Sequence, residues 1–195
     1  MKVVEVFADV RCPFAHVGLR RLAERGGPDV ILRVRAWPLE LVNQAPLDGS
    51  LIAEEVEELR AQVAPELFFG FDPAHWPSSS LPALGLVAAA YARHLWLGQR
   101  VSLAVRDALF EHGRDIAQPE ELRAIAEREG VPWPVDAGPA VLADWEEGTR
   151  RGVIGSPHFF VDGKGFFCPT LDVRRLDGHL VISANQVGVE EMLGL

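Results

Sequence analysis

The sequence is poor in cysteine, in basic residues and in long apolar segments. Its 195 residues include only two cysteines, Cys12 and Cys168, which are too few for a disulfide scaffold or a four-cysteine zinc site. No run of about 18 apolar residues occurs, so no segment is expected to cross a membrane. Acidic residues (28) outnumber basic ones (19), giving a formal net charge of −9. This balance argues against nucleic acid or an anionic membrane as the main partner, because both require basic patches.

Several motifs that would indicate other chemistry are also missing. There is no glycine-rich phosphate loop and no serine-hydrolase elbow, and the six histidines are scattered without the spacing of a metal site, so no metal is expected. The N-terminal stretch Met1–Val6 has too few apolar residues before its acidic residue for a signal peptide, which predicts a cytoplasmic protein. Chemistry, if present, is therefore expected at a cysteine.

Cys12 lies where a predicted strand meets a predicted helix. The apolar run Val3–Phe7 has the length of a buried strand, and helical spacing begins after Pro13. Proline suits the first helical turn, where its missing N–H would have no partner. Cys12 is thus expected beside the free N–H groups of a helix, a position that lowers thiol pKa values below about 8.5. A reactive thiolate is the predicted state of this cysteine.

The next segment completes a βαβ unit. Residues Val30–Trp37 alternate as in a strand, with Leu32, Val34 and Ala36 on one face. A strand, a helix and a second strand in about 36 residues predict two parallel strands joined by a right-handed crossover.

Residues 43–152 carry helical patterns and no strand signal. Helices are predicted over 50–63, 81–96, 100–112, 119–129 and 139–151. The acidic residues of the first of these, Glu54, Glu55, Glu57 and Glu58, are interpreted as its solvated face. The aromatic-rich loop at 65–80 either packs this helical block onto the core or walls a pocket.

Strand patterns return near the C-terminus. An apolar run after Pro157, the dipeptide Asp162-Gly163 and a second aromatic run predict a hairpin, and Pro157 can stand only at a strand's start or on an edge. Another strand is predicted over 180–184 and a terminal helix over 187–195.

Three motifs in this order resemble the DsbA family. Asp9-Val10-Arg11-Cys12-Pro13-Phe14, Ala108–Ile116 and Gly152–Val161 are similar to its cysteine motif, its helical-domain signature and its cis-proline strand. The resemblance is greatest to FrnE-like oxidoreductases, with 2-hydroxychromene-2-carboxylate isomerases and kappa-class glutathione transferases as relatives. It implies an α/β, thioredoxin-like fold with a large all-helical insertion, divided into residues 1–42 plus 153–195 and residues 43–152.

The resemblance also implies the site and its ligands. Cys12 and a cis Pro157 would be catalytic, and Ser156 would present its backbone to the substrate, with Pro13, Phe14 and His16 as further substrate-binding residues. The implied partner is a disulfide or a small-molecule substrate. No cofactor is bound covalently, and glutathione or another low-molecular-weight thiol would take part. A homodimer is compatible with this reading.

One residue departs from the redox-active members of the family. They carry Cys-x-x-Cys, and the fourth position here is Ala15, which cannot release a mixed disulfide. The leading hypothesis is therefore a thiol oxidoreductase with a single active-site cysteine, recycled by an external thiol. The alternatives are a glutathione-dependent isomerase or transferase and a binding module without turnover.

Other residues near the motifs allow two interpretations each. His16 could tune the thiol or simply be packed, and Arg11 could add positive potential or be solvated. His158 is expected to point away from the thiol. With a turn at Gly163-Lys164, Cys168 would lie opposite Phe159, about 10 Å from the strand of Cys12. A Cys12–Cys168 disulfide is therefore not expected, because the Cα atoms of a disulfide lie within about 7 Å.

Overall fold

A computed structural model of the chain describes residues 2–136 and 138–194. Its strands and α-helices follow in the order β1 (Lys2–Ala8), α1 (Pro13–Gly26), β2 (Val30–Ala36), α2 (Leu39–Val42), α3 (Gly49–Gln62), α4 (Leu81–Arg93), α5 (Leu95–Phe110), α6 (Pro119–Glu129), α7 (Gly138–Arg150), β3 (His158–Val161), β4 (Lys164–Phe167), β5 (Leu171–Leu176), β6 (His179–Ala184) and α8 (Gln186–Leu193). Single 3₁₀ turns occur at Gly27–Asp29 and Pro73–His75.

The main sheet has four strands in the order β2-β1-β3-β4. Strands β1 and β2 are parallel, which confirms the predicted βαβ unit, and β3 runs antiparallel to both β1 and β4. Because β3 pairs directly with β1, the segment that precedes β3 lies beside the residues that follow β1. This pairing brings residues about 145 positions apart in sequence to one corner of the sheet.

The two faces of the sheet are covered by different helices. Alternate side chains of β1, including Val4, Val6 and Ala8, pack with apolar residues of α1 and α8. Phe7 points to the opposite face and packs with Trp37 and Phe160, against Trp145 of α7. This alternation is the period of a strand buried on both faces, and it gives a thioredoxin-like α/β sandwich.

The helical segment supplies the missing partners of the edge strand β2. Leu32 donates its N–H to Gln99 (2.7 Å) and accepts from the Tyr91 hydroxyl (2.8 Å). The N–H of Ala36 donates to the Asp144 carboxylate (3.0 Å). Because unpaired strand edges are costly when buried, these side chains bind the inserted helices to the sheet. The proposed division at 42/43 and 152/153 stays a prediction.

Some element boundaries differ from the sequence-based expectation. The predicted helix over 81–96 ends at Arg93, because His94 is extended (φ −165°, ψ 143°) and its ring caps α5 by accepting from the N–H of Trp96. Strand β5 was not predicted, because five of its six residues are exposed and carry little apolar alternation. The predicted helix over 187–195 corresponds to α8, and Leu195 lies outside the described residues.

The hairpin turn lies at Asp162-Gly163, one residue before the alternative placement at Gly163-Lys164. Both turn residues have positive φ (51° and 82°), as in the tight turns that Asp-Gly favours. His158 consequently faces Phe167, and Cys168 follows the end of β4 instead of lying opposite Phe159. Among the described helices, none has the length and apolarity needed to cross a membrane.

Candidate active site

Cys12 occupies the N-cap position of α1, with extended backbone (φ −82°, ψ 115°) and Pro13 as the first helical residue. The neighbouring β3 brings Ser156 to it, and the Cys12 thiol donates to the Ser156 carbonyl at 3.1 Å. The Ser156–Pro157 peptide bond is cis. The strand–helix corner and the segment before β3 therefore meet at the sulfur.

A buried carboxylate holds this corner together. Asp9 accepts hydrogen bonds from the N–H groups of Arg11 (2.8 Å) and Leu39 (2.7 Å) and from the Ser80 hydroxyl (3.1 Å). The N–H of Asp9 donates in turn to the Ser156 hydroxyl at 3.0 Å. Burial raises the pKa of Asp9 although the charge of Arg11 and these donors lower it. Asp9 thus fixes the backbone around the sulfur.

The resting thiol of Cys12 is not activated, so the predicted low pKa is wrong. Burial raises the pKa of Cys12 to about 11, since a desolvated anion is disfavoured. Hydrogen bonding with the Ser156 side chain and with the backbone of Ala15 favours the thiolate, as does the positive charge of Arg106. These contributions are smaller than the effect of burial, and the sulfur is protonated at neutral pH.

Cys12 nevertheless lines a large open cavity. Cys12 is only 4 % exposed, but it forms part of the wall of a cavity of about 810 Å³ between the sheet, α2, α3 and β5. Pro13, Phe14 and Ser156 line the same cavity. The structure therefore brings four of the predicted site residues together around one space, and a molecule inside it could reach the sulfur.

His16 does not line this cavity, which corrects its assignment to substrate binding. Its ring is fully buried between Phe68 (5.3 Å) and Phe110 (5.0 Å), and Nε2 lies 2.6 Å from the Glu111 carboxylate. Burial lowers the pKa of His16, so the neutral ring donates its Nε2–H to Glu111. The same carboxylate accepts the N–H of Phe68 at 3.0 Å, and His16 thereby anchors the aromatic loop.

Arg11 and His158 have structural partners. Arg11 is fully buried, not solvated, and its guanidinium donates to the Pro77 carbonyl (3.2 Å) and lies near Asp9 and Glu40. The ring of His158 stacks on Phe160, with centroids 4.9 Å apart, and lies outside the cavity, as expected.

Two site residues were not found from the sequence. Arg106 is fully buried inside the predicted apolar face of α5, and it donates to the carbonyl of Asp9 at 2.8 Å. Glu55 was interpreted as part of a solvated face, but it is half-buried, lines the cavity and has its pKa raised to about 7 by burial. The one feature of the sequence that could have marked Arg106 as a buried site residue is its position within a helical run of apolar residues.

Cys168 lines the same cavity as Cys12, and both thiols are free. Its N–H donates to the Pro157 carbonyl at 3.0 Å, and its backbone has positive φ (45°). Burial, and secondarily the charge of Cys12, raises the pKa of Cys168 to about 12.

The chain resembles several solved structures along most of its length. The 2-hydroxychromene-2-carboxylate isomerase structure has 14 % identity and a TM-score of 0.65, covering 85 % of this chain and 88 % of that one. The cytosolic disulfide reductase DsbM from Pseudomonas aeruginosa with GSH has 15 % identity and a TM-score of 0.62, covering 99 % and 100 %. A putative protein disulfide isomerase from Nitrosomonas europaea has 15 % identity and a TM-score of 0.61, covering 99 % and 96 %. At this identity the similarity establishes the fold alone.

No functionally curated protein matches the chain. The family model for the DSBA-like thioredoxin domain, however, matches residues 3–181, which include the Cys12 corner, the inserted helices and the Ser156–Pro157 segment. The chain therefore belongs to the family of DsbA-like thioredoxin domains.

Proposed function

We propose that the protein is a thiol oxidoreductase that works through the single active-site thiol of Cys12. The observation that carries this proposal is the position of Cys12 on the wall of the 810 Å³ cavity, beside Ser156 and the cis Pro157. The cavity gives a disulfide access to a sulfur that would otherwise be sealed. Ala15 occupies the position of a resolving cysteine, so a second thiol must come from outside the motif.

The reaction proceeds in two exchanges. Cys12 loses its proton, its sulfur attacks one sulfur of the substrate disulfide, and the released thiolate takes up a proton. A low-molecular-weight thiol, glutathione or another, then attacks the mixed disulfide and regenerates the Cys12 thiol. Ser156, held beside Cys12 in the segment that ends at the cis Pro157, would position the bound disulfide through its backbone, and Pro13 and Phe14 would contact it.

The raised pKa makes this exchange slow in the absence of a substrate that favours the thiolate. The groups already at the sulfur, namely the Ser156 side chain, the backbone of Ala15 and Arg106, offset only part of the effect of burial, so binding of the substrate must promote ionisation further. A substrate that replaces the Ser156 carbonyl as the partner of the sulfur removes one interaction that holds the proton.

Treatment with bis(2-hydroxyethyl) disulfide at pH 8 tests the proposal. Intact mass and peptide mapping are expected to find one adduct on Cys12, released by 2-mercaptoethanol, and Cys12→Ser is expected to form no adduct. Because Cys168 lies in the same cavity, it serves as an internal comparison. An adduct on Cys168 with Cys12 unmodified, or no adduct at either thiol, would contradict the proposal.

A further inference from the structure

The cavity beside Cys12 is mostly apolar. Leu39, Val42, Leu47 and Ile52 line it from one side and Leu171 from the other. Large apolar side chains at its rim remain exposed, namely Leu51, Ile154, Phe167 and Val173. Its volume of about 810 Å³ is within the range of cavities that hold small molecules. An occupant with an apolar body would cover this exposed surface.

Every charged side chain that lines the cavity in the described part of the chain is a carboxylate: Asp48, Glu55 and Asp172. Two of them have partners within the protein. Asp48 caps α3 by accepting from the N–H and hydroxyl of Ser50, and Asp172 accepts from the Asn185 amide at 3.2 Å. The cavity therefore carries negative charge, with no lysine, arginine or histidine among its described lining residues.

Glu55 differs from the other two carboxylates. Its side chain accepts no hydrogen bond from residues 2–136 or 138–194, although it is half-buried on the cavity side of α3. The positive charge of Arg175 on β5 stabilises its carboxylate, whereas Glu54 on the same helix opposes it. An incompletely compensated carboxylate inside a cavity favours a ligand that brings positive charge or hydrogen-bond donors.

We propose that the cavity selects a low-molecular-weight disulfide with an apolar body and a cationic group, and that Glu55 binds this positive charge. The proposal rests on the proposed function of Cys12 and specifies its substrate. Binding of oxidised glutathione and of aromatic carboxylates is disfavoured, because their carboxylates would enter a cavity already lined by acidic side chains. The exchange itself is the one written above: the Cys12–sulfur bond forms, the substrate S–S bond breaks, and the proton lost by Cys12 is balanced by the one gained by the leaving thiol.

Three matched aliphatic disulfides separate the charge contribution from reactivity. They are cystamine, a dication, bis(2-hydroxyethyl) disulfide, which is neutral, and 3,3′-dithiodipropionate, a dianion. Rates of adduct formation on Cys12 are measured at pH 8 and low salt by peptide mapping, each divided by the rate with a small reference thiol. The expected order is dication, neutral, dianion, with about a tenfold difference between the extremes. The normalised rate of the neutral aromatic disulfide 4,4′-dithiodipyridine is expected to exceed that of bis(2-hydroxyethyl) disulfide.

Two substitutions on α3 test the role of Glu55. Glu55→Gln is expected to reduce the dication-to-dianion rate ratio by about three- to tenfold. Glu57→Gln makes the same chemical change on the exposed side of the same helix and is expected to leave the ratio unchanged.

The ratio also depends on pH. Burial raises the pKa of Glu55 to about 7, so its carboxyl group is mostly neutral at pH 6 and mostly ionised at pH 8, and the ratio is expected to rise over this interval. The other groups around it are Arg175, Glu54, the acids of the cavity wall, Asp48 and Asp172, and the thiols of Cys12 and Cys168. The charge of Glu55 raises the pKa of Cys12. Ionisation of Cys12 affects all probes alike and cancels from the ratio.

The outcomes distinguish the two proposals. If no probe reacts at Cys12, the proposed function fails and this inference fails with it. If all probes react at Cys12 but the normalised rates are equal, or the dianion is fastest, the function stands and the inference is wrong. A normalised rate for a disulfide-linked polypeptide that exceeds those of all small probes would assign the cavity to a protein substrate and overturn the small-molecule proposal.

Discussion

Two arginines are buried near the Cys12 corner, but they act on different groups. Arg11 is held by the Pro77 carbonyl and by the nearby carboxylates of Asp9 and Glu40. Arg106 donates to the Asp9 carbonyl, and its charge lowers the pKa of Cys12. Burial lowers the pKa of Arg106 to about 10, which leaves the guanidinium charged at neutral pH. Arg106 is therefore a positioning residue that also stabilises the thiolate.

Arg106→Gln is expected to raise the pKa of Cys12 and to slow its alkylation by iodoacetamide about three- to tenfold at pH 8, because the positive charge near the sulfur is lost. Alkylation rates measured against pH report the change. Arg106→Lys is expected to restore part of the rate, and Arg100→Gln, which removes an exposed cation from the same helix, is expected to have no effect. Equal rates for Arg106→Gln and the wild type, both folded by circular dichroism, would refute this assignment.

At the level of elements, one carboxylate connects the aromatic loop to two helices. Glu111, just after α5, accepts from His16 of α1 and from the N–H groups of Phe68 and Phe69. Burial alone would raise the pKa of Glu111, but these hydrogen bonds outweigh it and the pKa is lowered. The loop thus packs onto the helical core through Phe68 and does not line the cavity, which favours the first of the two interpretations made from the sequence.

Glu111→Gln is expected to lower the free energy of unfolding by about 1–3 kcal/mol at pH 7, because a buried charge-assisted hydrogen bond is lost. Since the folded pKa of Glu111 is depressed, its contribution is complete above the unfolded value of about 4.3 and is lost as the pH falls through the folded value. Urea unfolding at a series of pH values should show the variant and wild type converging in acid. Glu121→Gln, at an exposed pair with Arg114, serves as control and should change stability by less than about 1 kcal/mol. A constant difference down to pH 3 would disprove the explanation.

For the whole molecule, the helical insertion and the sheet share polar contacts as well as apolar ones. Gln99, Tyr91 and Asp144 satisfy the edge of β2, and Gln62 of α3 pairs with the backbone of Leu180 and Ile182 on β6. Removing either part would expose unpaired backbone groups on the other. The predicted division into two sequence regions therefore does not require two independent folding units.

A single unfolding transition is expected in urea. The midpoint from far-ultraviolet circular dichroism, dominated by the helices, should coincide with the midpoint from alkylation of Cys12, which lies at the sheet. Tyr91→Phe, which removes one hydrogen bond to β2, should shift both midpoints together, by about 1 kcal/mol of stability. Midpoints that separate in the wild type would show that the two regions unfold independently.

The local pattern of the sequence was sufficient for most of the helices and strands and for the cysteine corner. An apolar run predicted β1, strand alternation predicted its parallel neighbour β2, Pro13 predicted the start of α1, and the helical pattern over 119–129 predicted α6, which ends before Gly130, a residue in a left-handed conformation (φ 74°). Each of these depends on neighbours in sequence, through side-chain period or backbone dihedral preference. The resemblance of the three motifs then indicated the family.

Tertiary structure decided the chemistry of the site. Helical spacing placed His16 one turn after Cys12 and Glu55 among solvated acids. In the folded chain, His16 is buried between Phe68 and Phe110 beside Glu111, and Glu55 lines the cavity of the sulfur. The pKa of Cys12 was likewise set mainly by burial, opposed by hydrogen bonding with Ser156 from a distant part of the chain. The sequence by itself determined where a reactive sulfur could lie. Because desolvation and charge act through space, only the folded chain determined the protonation of this sulfur and the charge of the ligands that can reach it.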